Sequence, residues 1–196
     1  MLNLFRLLGK NNNLEIRQSI YWLKFAPINS KIKKKEWSFM MTSKTIFHGS
    51  KTVVEFPEIR THKYNKDFYY GFYCTEIQEQ AIRWATRHDE VGVLNVYKFT
   101  PDDSLNIKVF PEMSEEWLDF IVDCRSGKSH SYDIVEGPMA DDTIFNYVQN
   151  FIDGAITREA FWALAKFKHP THQISFHTAR ALATLEFVES IEVKDE

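Results

Sequence analysis

Cysteine is nearly missing from this chain. Cys74 and Cys124 are the only two, they stand far apart, and no Cys-x-x-Cys or Cys/His finger spacing surrounds them. That excludes a disulfide framework or a structural zinc module and fits a reducing cytosol. Long apolar runs are missing too, for nowhere does the chain sustain the roughly 18 apolar residues that a membrane span requires. The opening MLNLFRLLGK is apolar only briefly, and neither a long apolar core nor a small-residue cleavage site follows, so a signal peptide is not expected. Nor is there an excess of positive charge. The formal net charge is -3, which gives no overall attraction to nucleic acid or anionic membrane, because holding phosphates takes a basic surface. No internal repeat is visible. The expectation is a soluble, cytoplasmic protein without a membrane partner, whose ligands must be argued from local sites.

Aromatic residues are abundant, with 16 Phe, 8 Tyr and 5 Trp in 196 residues, which suits both an aromatic core and a planar ligand. The length allows one domain with a real core and a modest extension. Charge is unevenly spread: residues 1–40 hold eight Lys and Arg against two Glu, which leaves the remainder near -9. This asymmetry, the Asn11-Asn12-Asn13 run, the Pro27 to Lys35 linker and the pair Met40-Met41 divide the chain into a basic, poorly ordered leader over 1–40 and a folded domain over 41–196. A basic arm touching nucleic acid or a partner is the sharper reading of the same leader.

Within the domain, Thr45 to His48 reads as a first strand ending in a Gly-Ser turn, followed by a polar loop through Lys66. Ile77, Ala81, Trp84 and Ala85 recur at helical spacing and predict a helix with one buried face. Val91 to Phe99 and Leu105 to Phe110 read as strands around Pro101-Asp102-Asp103. Met113, Trp117, Phe120, Ile121 and Cys124 predict a second helix, and Ile144, Tyr147, Val148, Phe151 and Ile152 a third, stopped by Asp153-Gly154. A fourth covers Arg158 to Phe167, Pro170 breaks the chain, and Gln173 to His177 resumes a strand. Ala179 to Val193 is ambiguous between helix and strand. Strands and helices mixed without strict βαβ alternation indicate an α+β class.

Three clusters stand out: IFHGS at 46–50, DFYYGFYCT at 67–75 and HQISFHT at 172–178. In order and context they resemble the three-part signature of the ADP-ribosyltransferase superfamily, in its diphtheria-toxin and poly(ADP-ribose) polymerase branch. There a strand ends in His-Gly-Ser/Thr, a Gly-x-Tyr strand precedes a helix, and a late strand opens with a glutamate. The chain also resembles a bacterial family in that superfamily whose members often sit beside small antitoxin-like partners. The resemblance spans nearly all of 41–196. It implies a split β-sheet core with surrounding helices, and NAD as a substrate whose ADP-ribose is transferred to a macromolecular acceptor. A toxin role with an antitoxin protein as partner extends the same analogy.

Residue by residue, the resemblance implies that His48 hydrogen-bonds the adenosine ribose, that Gly49 pairs its backbone with the nicotinamide carboxamide where a side chain would block approach, and that Ser50 joins them as a cofactor-binding residue at that strand end. Tyr73 stacks on the cationic nicotinamide ring, by dispersion and cation–π attraction. Trp84 falls where a second stacking ring stands, although it also lies on the apolar face of its helix. Gln173 departs from the pattern, since the superfamily glutamate stabilises an oxocarbenium-like transition state. Glutamine keeps the hydrogen bond and loses the charge, so polymer elongation is set aside. Single ADP-ribose transfer, slow NAD hydrolysis, a related reaction on another nucleotide and a non-catalytic NAD or ADP-ribose binding module remain. Plainer roles stand beside these: a strand-ending turn with a buried His48, a core Trp84, an edge-strand Gln173. In YDIVEGPMADD, Asp141 or Asp142 suits a helix N-cap; the sharper reading makes Glu136, Asp141 or Asp142 a carboxylate that orients the acceptor. His169, His172 and His177 lack an acidic ligand motif, so no metal is expected.

Overall fold

The computed structural model describes residues 43–61, 66–88, 91–165 and 171–194. The leader expected over 1–40 lies outside them. In chain order the elements are β1 (Lys44–Ser50), β2 (Phe72–Cys74), α1 (Gln78–Thr86), β3 (Val91–Phe99), β4 (Ile107–Val109), α2 (Glu115–Arg125), β5 (Ile134–Gly137), α3 (Asp142–Ile152), α4 (Arg158–Leu164), β6 (Gln173–Phe176), α5 (Ala179–Leu182) and β7 (Leu185–Lys194). The class is α+β, with two sheets and five helices among the described residues. No described helix is long and apolar enough to cross a membrane.

One sheet has the order β1-β3-β7 and is antiparallel throughout; the other has the order β2-β6-β5-β4, where only β4 and β5 run parallel. The sheets meet where Phe47 and Thr75 exchange both backbone hydrogen bonds, at 2.8 and 2.9 Å. A single bridge of this kind joins two sheets without merging them. The central strand β3 is an apolar run whose Leu94, Val96, Tyr97 and Phe99 are buried. Its one buried amide, Asn95, donates to the carbonyls of His48 and Thr52 and to Ser50 Oγ, and accepts from Val54 N–H. The chain leaving β1 is thereby tied to its neighbour strand.

Helix starts follow from the sequence. Ser114, Asp141 and Thr157 each accept a backbone N–H from three residues on, so α2, α3 and α4 begin where a capping oxygen satisfies an otherwise orphan donor. Gly154 (φ 71°) follows α3 in the left-handed region open to glycine. Trp117, Leu118, Ile121, Ile144, Val148 and Phe161 from these helices bury against Val135 of β5. A second core, including Ile46, Phe72, Tyr97, Phe99 and Phe176, fills the space between the sheets. Cys74 and Cys124 are buried as free thiols.

Three expectations change. Ile134–Gly137 is a strand, buried between β4 and β6, where the sequence suggests only a Gly-Pro turn. The fourth helix ends at Leu164 rather than running to Phe167, and residues 166–170 lie outside those described. The ambiguous 179–193 stretch resolves into the short α5 and the ten-residue edge strand β7.

Candidate functional site

Beside the bridge, a cavity of about 670 Å³ opens, within the size range of small-molecule sites. His48 and Gly49 come from β1, Tyr73 from β2, Trp84 from α1 and Gln173 from the first position of β6. Asp141, Met139 and Ala140 line it ahead of α3, Phe145 and Asn146 from α3, and Lys66, Asp67 and Arg87 supply charge. Ser50 does not line it. Its hydroxyl donates to the Thr52 carbonyl and accepts from Asn95, so it shapes the loop after β1.

His48 Nδ1 lies 2.7 Å from the Tyr73 carbonyl. A carbonyl can only accept, so Nδ1 carries the proton. Burial drives the ring pKa down to about 4, against the Tyr73 bond and helped by repulsion from Lys66 and Arg60. The imidazole is therefore neutral at physiological pH, and its Nε2 is a bare acceptor. Tyr73 is equally fixed: its hydroxyl donates to the Tyr69 carbonyl at 2.6 Å and accepts from Phe68 N–H at 3.2 Å. Burial, then the Asp67 charge, pushes its pKa well up. The ring cannot turn away, and the Lys66 ammonium lies 4.4 Å from its centroid. This face of Tyr73 already receives a cation.

Gln173 is buried, and its Nε2 donates to Asp67 Oδ2 at 2.9 Å and to the Pro138 carbonyl at 3.3 Å. Both partners accept only, so the amide orientation follows and Oε1 is left as its acceptor. Asp67 and its ion-pair partner Arg125 were not legible as site residues. Asp67 heads the second cluster, but its partners lie 58 and 106 residues away, and Arg125 reads as an ordinary basic residue ending a helix.

Gly49 lines the cavity and is also required by packing. A Cβ there would lie 2.0 Å from the Ala81 carbonyl oxygen, so the missing side chain is what lets α1 lie against β1. Trp84 is half-buried, lines the cavity and belongs to none of the core clusters. Asp141 caps α3 by accepting from Ile144 N–H at 3.1 Å. Glu136 does not line the cavity: it meets His172 Nε2 at 3.2 Å, with Lys44 at 3.9 Å. Glu76, Glu136 and His172 bring potential ligand atoms within 4.8 Å of one another. Yet Lys44 binds Glu76 at 2.7 Å, and His172 Nδ1 accepts from Glu76 N–H. Those contacts satisfy the cluster without an ion. His177 reaches the Tyr70 carbonyl, and His169 lies outside the described residues.

A family model described as "Protein of unknown function (DUF3990)" matches residues 44–187. The chain belongs to the DUF3990 family. No significant match was found among curated proteins. The DUF3990 match contains every described residue that lines the cavity, so these residues belong to the family domain.

Proposed function

We propose that the DUF3990 domain binds NAD in this cavity, breaks the nicotinamide–ribose bond and passes a single ADP-ribose to a macromolecular acceptor. The observation that supports the reading is convergence: His48, Tyr73 and Gln173, from three strands spread over 126 residues of sequence, line one cavity of about 670 Å³. Two sheets joined by one bridge beside that cavity favour an ADP-ribosyltransferase-like split core.

In this reading the cationic nicotinamide ring stacks on Tyr73, displacing the Lys66 ammonium from that face towards the pyrophosphate. His48 Nε2 accepts from the adenosine ribose, Gln173 Oε1 accepts from the nicotinamide ribose, and Trp84 and Phe145 add planar apolar surface. Lys66 and Arg87 face the pyrophosphate. As nicotinamide leaves with the bonding pair, positive charge develops on the ribose, and a fixed acceptor needs no reorganisation to meet it. The amide at 173, in place of a carboxylate, favours a second reading: an NAD or ADP-ribose binding module, or a slow glycohydrolase.

One assay separates these. Purified protein is incubated with NAD labelled in the adenosine half, in the presence of lysate, and nicotinamide release and label transfer are followed. A transferase yields both, a glycohydrolase yields release without transfer, and a binder yields only a thermal shift. No shift and no release overturn the proposal. Growth arrest on expression in a bacterial host, relieved by a neighbouring gene product, is the outcome expected of a toxin with an antitoxin partner.

A further inference from the structure

Behind Gln173 stands a side chain that the three clusters do not explain, and its interpretation rests on the NAD reading of the cavity. Asp67 is 6% exposed and Arg125 5%. Asp67 Oδ1 accepts from Arg125 Nε at 3.1 Å and from Nη2, while Oδ2 accepts from Ala140 N–H at 2.8 Å and Gln173 Nε2 at 2.9 Å. The guanidinium also donates from Nη1 to the Phe145 carbonyl at 3.1 Å and lies 4.0 Å from the Phe145 ring centroid. The turn carrying Asp67 is pinned residue by residue. His130 Nε2 holds the Phe68 carbonyl at 3.1 Å, the Tyr73 hydroxyl holds that of Tyr69 at 2.6 Å, and His177 Nδ1 holds that of Tyr70 at 2.5 Å. Tyr69 itself has φ 71°, a conformation that non-glycine residues adopt mainly where their surroundings impose it. Such support fixes a carboxylate at one place, directly behind an amide whose oxygen has one remaining orientation.

We propose that Asp67 is the positioning residue of this site. It aims the Gln173 amide oxygen at the ribose hydroxyl and sets a carboxylate one hydrogen bond behind it. The pair thereby divides the two tasks, hydrogen bond and negative charge, that one carboxylate at position 173 would perform. No proton is transferred between them, because Gln173 donates and Asp67 accepts throughout.

The test uses the full chain with Asp67→Asn, Gln173→Glu and the double variant, read by nicotinamide release across pH and by NAD thermal-shift titration. Asp67→Asn keeps an acceptor for Arg125 but turns N–H groups towards Gln173 Nε2 and Ala140 N–H. It is expected to lower kcat about 100-fold with KM changed less than about 3-fold, the pattern of a contact that matters in the transition state. Gln173→Glu sets two carboxylates about 3 Å apart, which cannot both ionise easily. Its rate is expected to rise with pH along one ionisation above roughly pH 6, where the parent is flat. The double variant restores one amide and one carboxylate in reversed order, and is expected to recover at least about 10-fold of the lost kcat and to flatten the profile. A merely structural role for Asp67 would produce no such exchange. The inference is overturned if Asp67→Asn folds and cleaves like the parent, or if the folded double variant is no faster than the slower single one. If Asp67→Asn does not fold, the Gln173→Glu profile decides, and a parent-like flat profile overturns it. A parent that neither binds nor cleaves NAD removes the NAD reading and this inference together. An active parent with an indifferent Asp67→Asn removes this inference alone.

Discussion

At His48 the proton position is set by the backbone: the Tyr73 carbonyl takes Nδ1–H, and burial keeps the second proton off until about pH 4. Nε2 therefore stays an acceptor through the whole neutral range. NAD affinity is expected to be constant between roughly pH 5.5 and 8, since a histidine titrating near its ordinary 6.5 would show a break there. A thermal-shift titration at several pH values reads this directly. His48→Ala and Tyr73→Ala each remove a binding contact before any bond breaks, so each is expected to weaken NAD binding by about 10-fold, the equivalent of ~1.4 kcal/mol. Parent-like binding by both would count against the cavity as the NAD site. These two residues were legible because each sits in a local cluster, a strand end or an aromatic run. Asp67 was not, since its significance comes from Arg125, Ala140 and Gln173, which only the fold brings to it. Gly49 was legible as a constrained position, but the neighbour that constrains it, the Ala81 carbonyl, belongs to a helix whose docking no local pattern specifies.

The helix α1 depends on its docking more than on its own ends. Ile77 stands at its N-cap and supplies no side-chain hydrogen bond, unlike Ser114, Asp141 or Thr157 at theirs. What holds α1 is close approach: a Cβ on Gly49 would lie 2.0 Å from Ala81 O, and one on Gly92 would lie 2.4 Å from Ala85 O. The obstacles are backbone atoms, so a methyl group must move the helix off the sheet. Gly49→Ala is expected to cost about 3 kcal/mol, at the upper end for overpacking, and to lower Tm by roughly 6–12 °C. Because α1 carries Trp84 and is followed by Arg87, NAD affinity should fall with it; a calorimetric Tm unchanged by Gly49→Ala would contradict the packing argument. Elements were legible where a cap and a helical period coincide, as in α2 and α3, or where β-branched residues run long, as in β3. They were less so where context decides. β5 is only four residues long and buried on account of its neighbours, and β7 is an edge strand whose largely exposed residues leave no clear period.

Among the described residues, His48, His130 and His177 are held neutral by their surroundings, and the buried Asp133 carboxylate is held charged. Burial, and next the facing His130, drives His177 down to about 4, against the Tyr70 carbonyl and Asp133; His130 is lowered by burial against its bond to Phe68. The two rings meet edge to face with centroids 4.5 Å apart, so a proton on one opposes a proton on the other. His48 behaves likewise at the cavity. In each case the unfolded chain binds the proton first, near pH 6.5, and the folded domain resists until about 4 for His48 and His177. Their contribution is thus complete above pH 6.5 and is lost as pH falls towards 4, by up to a few kcal/mol per buried ring. Asp133 is lowered as well, at a more acid pH: the Arg180 hydrogen bonds, against burial and aided by Asn106 N–H and Thr178, bring it to about 2. It supports the fold above its ordinary 3.8, and that support fades between 3.8 and 2. Acid should therefore lower Tm in two stages, one between pH 6.5 and 4 from the histidines and one below 4 that includes Asp133. His177→Gln retains a group able to donate to the Tyr70 carbonyl but cannot titrate, so it is expected to flatten part of the first stage and leave the second unchanged. Calorimetry of parent and variant from pH 8 to 2.5 checks this, and an identical decline in both between 6.5 and 4 would show that the His130–His177 pair does not set acid stability.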